Sequence, residues 1–463
     1  MTRTASSCAA TGCRSSIRPG PRSAAPRWST CWSAAPDRAS PASRPPRRPA
    51  ACSGWPYPAC AAWPTPYSTT TDMLKPFMRA AAAVFCLVAL QAGAATPFLA
   101  GGDVSVLPLM ERHGARYYDR QGRQDDALKI LRASGHNIVR LRLYEAPGPG
   151  NGNEGYHWPA GSMNLPDLLA LAKRSAALGM QIQLTFHYSD FWTNSKTQNV
   201  PAPWRAQLDQ LPDEQARFER LRQLVFERTR AVLRALQAQG TLPQFVSIGN
   251  EIEGGMLYPY GAKTETNWPR LGALLQAGYD GVKAVSPASK VILHLDDAGN
   301  LEKYRDYFDH LRALNVQYDV IGASYYPFWT KKTVQQVVAF SRALTARYDK
   351  DLFIMEAGFN WTPNLPNGYP GQLSDNGPYP ASMSSPQGQR AFMDELLGAL
   401  RKTERVLGVL YWDPVMIATP GIGWAVRDAD GVAGPNVVAN TTLFDFDGRA
   451  LPVLESWKKH TQQ

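Results

Sequence analysis

Phe245-Val246-Ser247-Ile248-Gly249-Asn250-Glu251 and Leu352-Phe353-Ile354-Met355-Glu356 are apolar, β-prone runs that each stop on a glutamate. An unpaired carboxylate is costly to bury, so a glutamate that closes such a run belongs where a strand reaches a solvent-filled cleft. Two carboxylates facing one cleft are the minimum equipment for breaking a glycosidic bond, and in the retaining form of that chemistry they stand about 5 to 5.5 Å apart. Glu356 would attack the anomeric carbon. Glu251 would protonate the leaving oxygen and then deprotonate the incoming water. For that it must hold its proton near neutral pH, which the neighbouring charge of Glu356 favours.

Delivering both groups to one rim needs strands that end together. Strand-like segments are Phe98–Val104, Asn137–Leu143, Gln181–Phe186, Phe245–Ile248, Lys290–Leu295, Val316–Ala323, Leu352–Met355 and Val406–Tyr411. Amphipathic segments alternate with them: Asp125–Ala133, Leu165–Leu178, Glu214–Gln239, Trp268–Ala284, Leu301–Leu314, Thr333–Tyr348 and Gln387–Arg401. Eight such units predict an α/β fold, a (β/α)8 TIM barrel with a single catalytic domain over residues 95–463. The longest irregular stretch, Asn360 to Pro386, would overhang the catalytic face.

In a barrel the active site forms at the carboxyl ends of the strands. The polar and aromatic residues there nominate a substrate-binding set: Asp103, Arg142, His187, Asn250, His294, Asp296, Tyr325, Trp329 and Trp412. Arg142 is expected to stay charged and orient Glu356, and Asn250 to meet a sugar 2-hydroxyl. Trp192, Trp361 and Trp424 join the aromatic faces on which a pyranose can stack.

The net charge of +10 suggests a nucleic-acid partner until it is located. Residues 1–94 hold 11 of the 49 Lys and Arg but only two of the 39 acidic residues, Asp37 and Asp72, which leaves 38 against 37 in the remainder. The basic excess belongs to the leader, so no nucleic acid is expected. From Met73, a short basic region, the apolar run Ala80 to Leu90 and Ala92-Gly93-Ala94 read as a signal peptide over residues 73–94, too short for a membrane span. Residues 1–72 read as a misassigned or disordered extension. All six cysteines precede residue 94, so a secreted or periplasmic chain would carry no disulfide. Seven scattered histidines without HxH or HExxH spacing define no metal site.

At these residues the chain resembles the glycoside hydrolase family 53 endo-β-1,4-galactanases. The resemblance spans Phe98 to Trp457 and rests on Gly101-Gly102-Asp103-Val104-Ser105, Arg140-Leu141-Arg142, Phe186-His187-Tyr188-Ser189-Asp190-Phe191-Trp192, Gly249-Asn250-Glu251-Ile252, His294-Leu295-Asp296, Ser324-Tyr325-Tyr326-Pro327-Phe328-Trp329 and Leu443-Phe444-Asp445-Phe446-Asp447-Gly448. It implies retaining endo-hydrolysis of type I arabinogalactan, the galactan side chains of pectin. Glu251 would be acid/base and Glu356 nucleophile. It further implies a monomer whose partner is the polysaccharide, with no membrane contact after signal cleavage and no required cofactor. Calcium occurs in some relatives in the loop holding Asp375 and Asn376, whose spacing here defines no ligand set. The rival readings are a related barrel acting on mannan, xylan or glucan, and an inactive sugar-binding barrel. The chain departs from the family pattern at Thr185, Tyr144-Glu145-Ala146, Tyr258, Ala357-Gly358-Phe359 and Asp413.

Overall fold

The computed structural model of the chain describes residues 97–461. The expected extension, 1–72, and signal segment, 73–94, lie outside the described residues. Eight parallel strands close into a barrel in sequence order: β1 (Leu99–Asp103), β2 (Ile138–Leu143), β3 (Gln181–Phe186), β4 (Phe245–Ile248), β5 (Lys290–Leu295), β6 (Val320–Tyr325), β7 (Asp351–Ala357) and β8 (Val406–Tyr411). β1 pairs with both β2 and β8, which completes the ring. The seams are tight at two glycines: a Cβ on Gly101 would lie 1.7 Å from Ile138 O, and one on Gly408 would lie 1.9 Å from Leu99 O. Any side chain there would force the strands apart.

Each strand leads to a helix of the outer ring: α1 (Ala127–Ala133), α2 (Leu165–Ala177), α3 (Glu214–Ala238), α4 (Trp268–Lys283), α5 (Leu301–Ala313), α6 (Val334–Tyr348), α7 (Pro386–Arg401) and α8 (Leu454–Thr461); the connections after β1, β3 and β6 also carry short helices at Leu107–Arg112, Ala202–Leu208 and Pro327–Thr330. Most starts are written locally: the side chains of Asp126, Asn164, Asp213, Asn300, Thr333 and Ser385 each accept a first-turn N–H. The apolar stripes then bury against the barrel, as Leu221, Val225, Val232 and Leu236 do on α3, each contributing about 1.5–3 kcal/mol. α8 is an addition to the helices read from sequence. Among the described residues, no helix is long and apolar enough to cross a membrane.

β6 starts at Val320 and ends at Tyr325, later at both ends than the pattern suggested. The Asp319 carboxylate accepts Val291 N at 2.8 Å and pairs with Lys283 at 2.8 Å, and residues 316–318 before it are irregular. The longest irregular connection follows β8, over 412–453, and exceeds the expected one after β7.

Inside the barrel, Leu99, Ile138, Phe245, Ile292, Val320, Phe353, Met355 and Leu410 form an apolar floor. Two residues further along their strands stand Arg140, Ser247, His294 and Trp412, so the lining changes from apolar to polar toward the carboxyl ends. β7 carries an irregularity: Ala323 of β6 pairs with Ile354, but the next residue, Ser324, pairs with Glu356. The extra residue re-aims the strand, so Met355 joins the floor while Glu356 turns to the site above it.

Candidate active site

Glu356 is 1% exposed and fixed from two sides. Arg140 Nη1 donates to its Oε1 at 2.7 Å, and Tyr326 Oη donates to its Oε2 at 2.8 Å. Arg140 also donates from Nη2 to Asn250 Oδ1 at 2.6 Å and from Nε to Thr185 Oγ1 at 3.2 Å, and lies 3.4 Å from Asp103 Oδ2. The guanidinium fork thus ties β1, β2, β3, β4 and β7 together beneath the site.

The expectation for Arg142 is therefore corrected: Arg140 orients Glu356, while Arg142 pairs with Asp103 at 3.0 Å and Asp413 at 3.1 Å. Both arginines face inward because they are two apart on β2, and the spacing does not say which of them spans the barrel. Burial alone would lower the pKa of Arg142, but Asp103 and the other nearby acids raise it and keep the group charged. Burial pushes the Asp413 carboxyl up to about 7 against the opposing pull of Arg142.

Glu251 is half-buried and accepts a hydrogen bond from Ser324 Oγ at 2.7 Å. Ser324 Oγ also lies 2.8 Å from His294 Nε2. With Ser324 donating to Glu251, Nε2 of His294 carries the proton. Burial first, then Arg140, holds His294 well below its ordinary pKa, so it is neutral. The Glu251 carboxyl is raised well above the usual range, by burial first and then by the charges of Glu356, Glu253 and Asp296. The charge of Glu356, the cause expected from the sequence, ranks second; desolvation is the larger one.

One oxygen from each of Glu251 and Glu356 and a ring nitrogen of His294 lie within 4.8 Å of one another. Such a trio could hold a cation, but its donors are committed: Glu356 to Arg140 and Tyr326, His294 and Glu251 to Ser324. Asp375 and Asn376 do not converge either. Asp375 accepts Gly377 N at 2.8 Å, and buried Asn376 bonds Asn360 at 2.8 Å.

The nominated binding residues divide. Asp103 and Asn250 are fully buried and lie beneath the site: Asp103 accepts both Ser105 donors, and Asn250 donates to Thr193 O at 3.0 Å. Asp296 stands half-buried at the rim, 2.7 Å from Lys303 Nζ. His187 is buried with Nδ1 on Thr193 Oγ1 at 2.7 Å, and its Nε2 has no partner. Trp412 is 4% exposed and its buried Nε1 is unpartnered, whereas Trp329 is 42% exposed beside Tyr326. Tyr325 is a correction: it points outward, packing near Phe392 and donating to Lys332 O at 2.9 Å. Alternation on β6 puts Ser324 and Tyr326 inward, and with Arg140 these are the residues that sequence reasoning did not assign. The signal was present in their i, i+2 spacing.

Replacing Arg140 by methionine removes the ion pair to buried Glu356, leaving it Tyr326, and takes the donor from Asn250 Oδ1. The expected loss is about 3–5 kcal/mol of stability, as for a broken buried ion pair. Urea unfolding checks it, and an unchanged midpoint would remove Arg140 from the supporting frame.

Compared with known proteins, residues 99–457 match the pattern of glycosyl hydrolase family 53. The endo-β-1,4-galactanase of Bacillus subtilis is 30% identical over 385 residues, covering 77% of this chain and 85% of its own. The arabinogalactan endo-β-1,4-galactanase of Thermothelomyces thermophilus is 28% identical, covering 78% and 98%. Among solved structures, the GH53 catalytic domain of Ignisphaera aggregans superimposes with a TM-score of 0.69 at 32% identity, over 79% of this chain and 97% of that one.

Proposed function

The chain belongs to glycosyl hydrolase family 53, and from that premise we propose that it is an endo-β-1,4-galactanase acting on pectic galactan with retention of anomeric configuration. The single observation that carries the mechanism is the pair of dissimilar carboxylates. Glu356 is held between a guanidinium and a phenol, and Glu251 is pushed toward its protonated form within 4.8 Å. That spacing supports retention, in which the carboxyl groups stand about 5–5.5 Å apart, over inversion, which needs about 6.5–9.5 Å.

Glu356 attacks the anomeric carbon while Glu251 protonates the departing oxygen. The ionised Glu251 then takes a proton from the water that releases the sugar. Trp412 and exposed Trp329 offer aromatic faces to the substrate, and neutral His187 offers Nε2 to a hydroxyl. The composition of residues 73–94 supports export, so that the enzyme would meet its polymer in the periplasm or outside the cell, acting as a monomer.

A reducing-sugar assay on pectic galactan beside mannan, xylan and glucan tests the substrate; turnover of mannan alone would refute it. Proton NMR of the first-formed sugar is expected to show the β anomer, and an α product would mean inversion.

A further inference from the structure

Two connections at the carboxyl rim are fastened to each other. Tyr156–His157, between β2 and α2, pairs antiparallel with Val426–Arg427, between β8 and α8. Asp428 N donates to Gly155 O at 2.8 Å, and Asp428 Oδ1 meets His157 Nδ1 at 2.6 Å and Gly150 N at 3.3 Å. Because β1 lies between β2 and β8 in the ring, this seam crosses the β1 sector of the rim. Aromatic rings fill the space behind it. Trp158, 1% exposed, stands edge-on to Trp424 at 5.2 Å, and Trp424 lies 5.4 Å from both Trp412 and Trp192.

The chemistry says which arm of the substrate meets this seam. Glu251 delivers its proton from the β4 side, so the leaving sugars lie there. The retained sugars extend from Glu356 the opposite way, and in a ring of eight strands the one facing β4 is β8. A sugar at the cleavage point would have Trp412 as its aromatic platform, and Trp424, edge-on to Trp412 at 5.4 Å, is the next ring toward the seam, about one sugar further along.

We propose that the seam between the β2–α2 and β8–α8 connections is a wall that limits the retained arm of the cleft to about two sugar units, as a pocket's end limits its ligand. The inference deepens the galactanase reading and rests on it. Past the wall a longer chain must turn out of the cleft, so binding there gains little and most cuts release short fragments from the non-reducing side.

β-1,4-Galactopentaose labelled at its reducing end tests this with the full chain. Labelled trimer and tetramer are expected to dominate; dominant labelled monomer and dimer would overturn the wall. Asp428→Ala, which removes the contacts to His157 and Gly150, and Trp158→Ala, which removes the ring behind them, are each expected to raise the ratio of long to short retained fragments roughly tenfold, the scale of a lost pocket contact. An unchanged ratio in folded variants, by thermal melt, would overturn the seam as its cause. If no galacto-oligosaccharide is cut, the galactan reading fails instead, and the same labelled series in whichever β-1,4-linked polymer is hydrolysed decides the wall.

Discussion

Glu356→Ala is expected to abolish turnover on galactan and on activated aryl galactosides alike, with kcat lowered about 10⁵-fold, the scale of losing a nucleophile. Arg140 and Tyr326 have no catalytic charge of their own to substitute for it; they hold the carboxylate in one orientation. Glu356→Gln keeps the shape and can still accept from Arg140 through its amide oxygen, with the Tyr326 hydroxyl turned to accept from the amide N–H, and it should be equally inactive, which separates chemistry from packing. Removing this charge also removes one of the causes that raise the Glu251 pKa, so a titration of Glu251 in Glu356→Gln should move toward the ordinary carboxyl range. Retention of more than about 1% of the wild-type rate in a folded Glu356→Ala protein would remove the nucleophile assignment.

Glu251→Ala should lose about 10²–10⁴-fold on galactan, whose leaving hydroxyl needs a proton. Dinitrophenyl galactoside, whose leaving group departs unprotonated, should still form the glycosyl-enzyme at near wild-type rate. Equal losses on both substrates would sink the acid assignment. The pH profile carries a sign. Glu251 works first as an acid, and its pKa is raised, so wild-type kcat/KM should persist above the ordinary carboxyl range and fall as pH rises through the shifted value. Ser324 donates to Glu251 and by itself lowers that pKa, so Ser324→Ala should move the alkaline limb upward. On the activated substrate, Glu251→Ala should show no such limb.

Much of this was legible in the chain. The eight strands and seven of the helices announce themselves through apolar periodicity and Asx, Ser or Thr caps, which are local. The neutral charge balance of residues 95–463 is compositional. The two glutamates stand out because a carboxylate after an apolar run is costly unless it reaches a cleft. The partner assignments were not legible to the same degree. Arg140 and Arg142 are the same residue type on the same face of β2, and only the distances across the barrel show that Arg140 meets Glu356 while Arg142 meets Asp103 and Asp413. Tyr325 and Tyr326 both stand at the end of their strand, and the contacts show that Tyr326 meets Glu356 while Tyr325 packs outward near Phe392. The seam at His157 and Asp428 joins residues far apart in sequence, and no local pattern marks it.

By itself, then, the sequence determined which side chains could do the chemistry and that eight βα units would carry them, because strand alternation, helix caps and the cost of burying charge act over a few residues. Only the tertiary structure decided that Glu356 faces the site at all. Counting alternately from inward Phe353 sends Glu356 outward, and the register shift against β6 reverses that. Likewise, the acid character of Glu251 is set mainly by desolvation, a property of the closed barrel. Register and burial depend on which strands lie side by side, and that is fixed only when the ring closes.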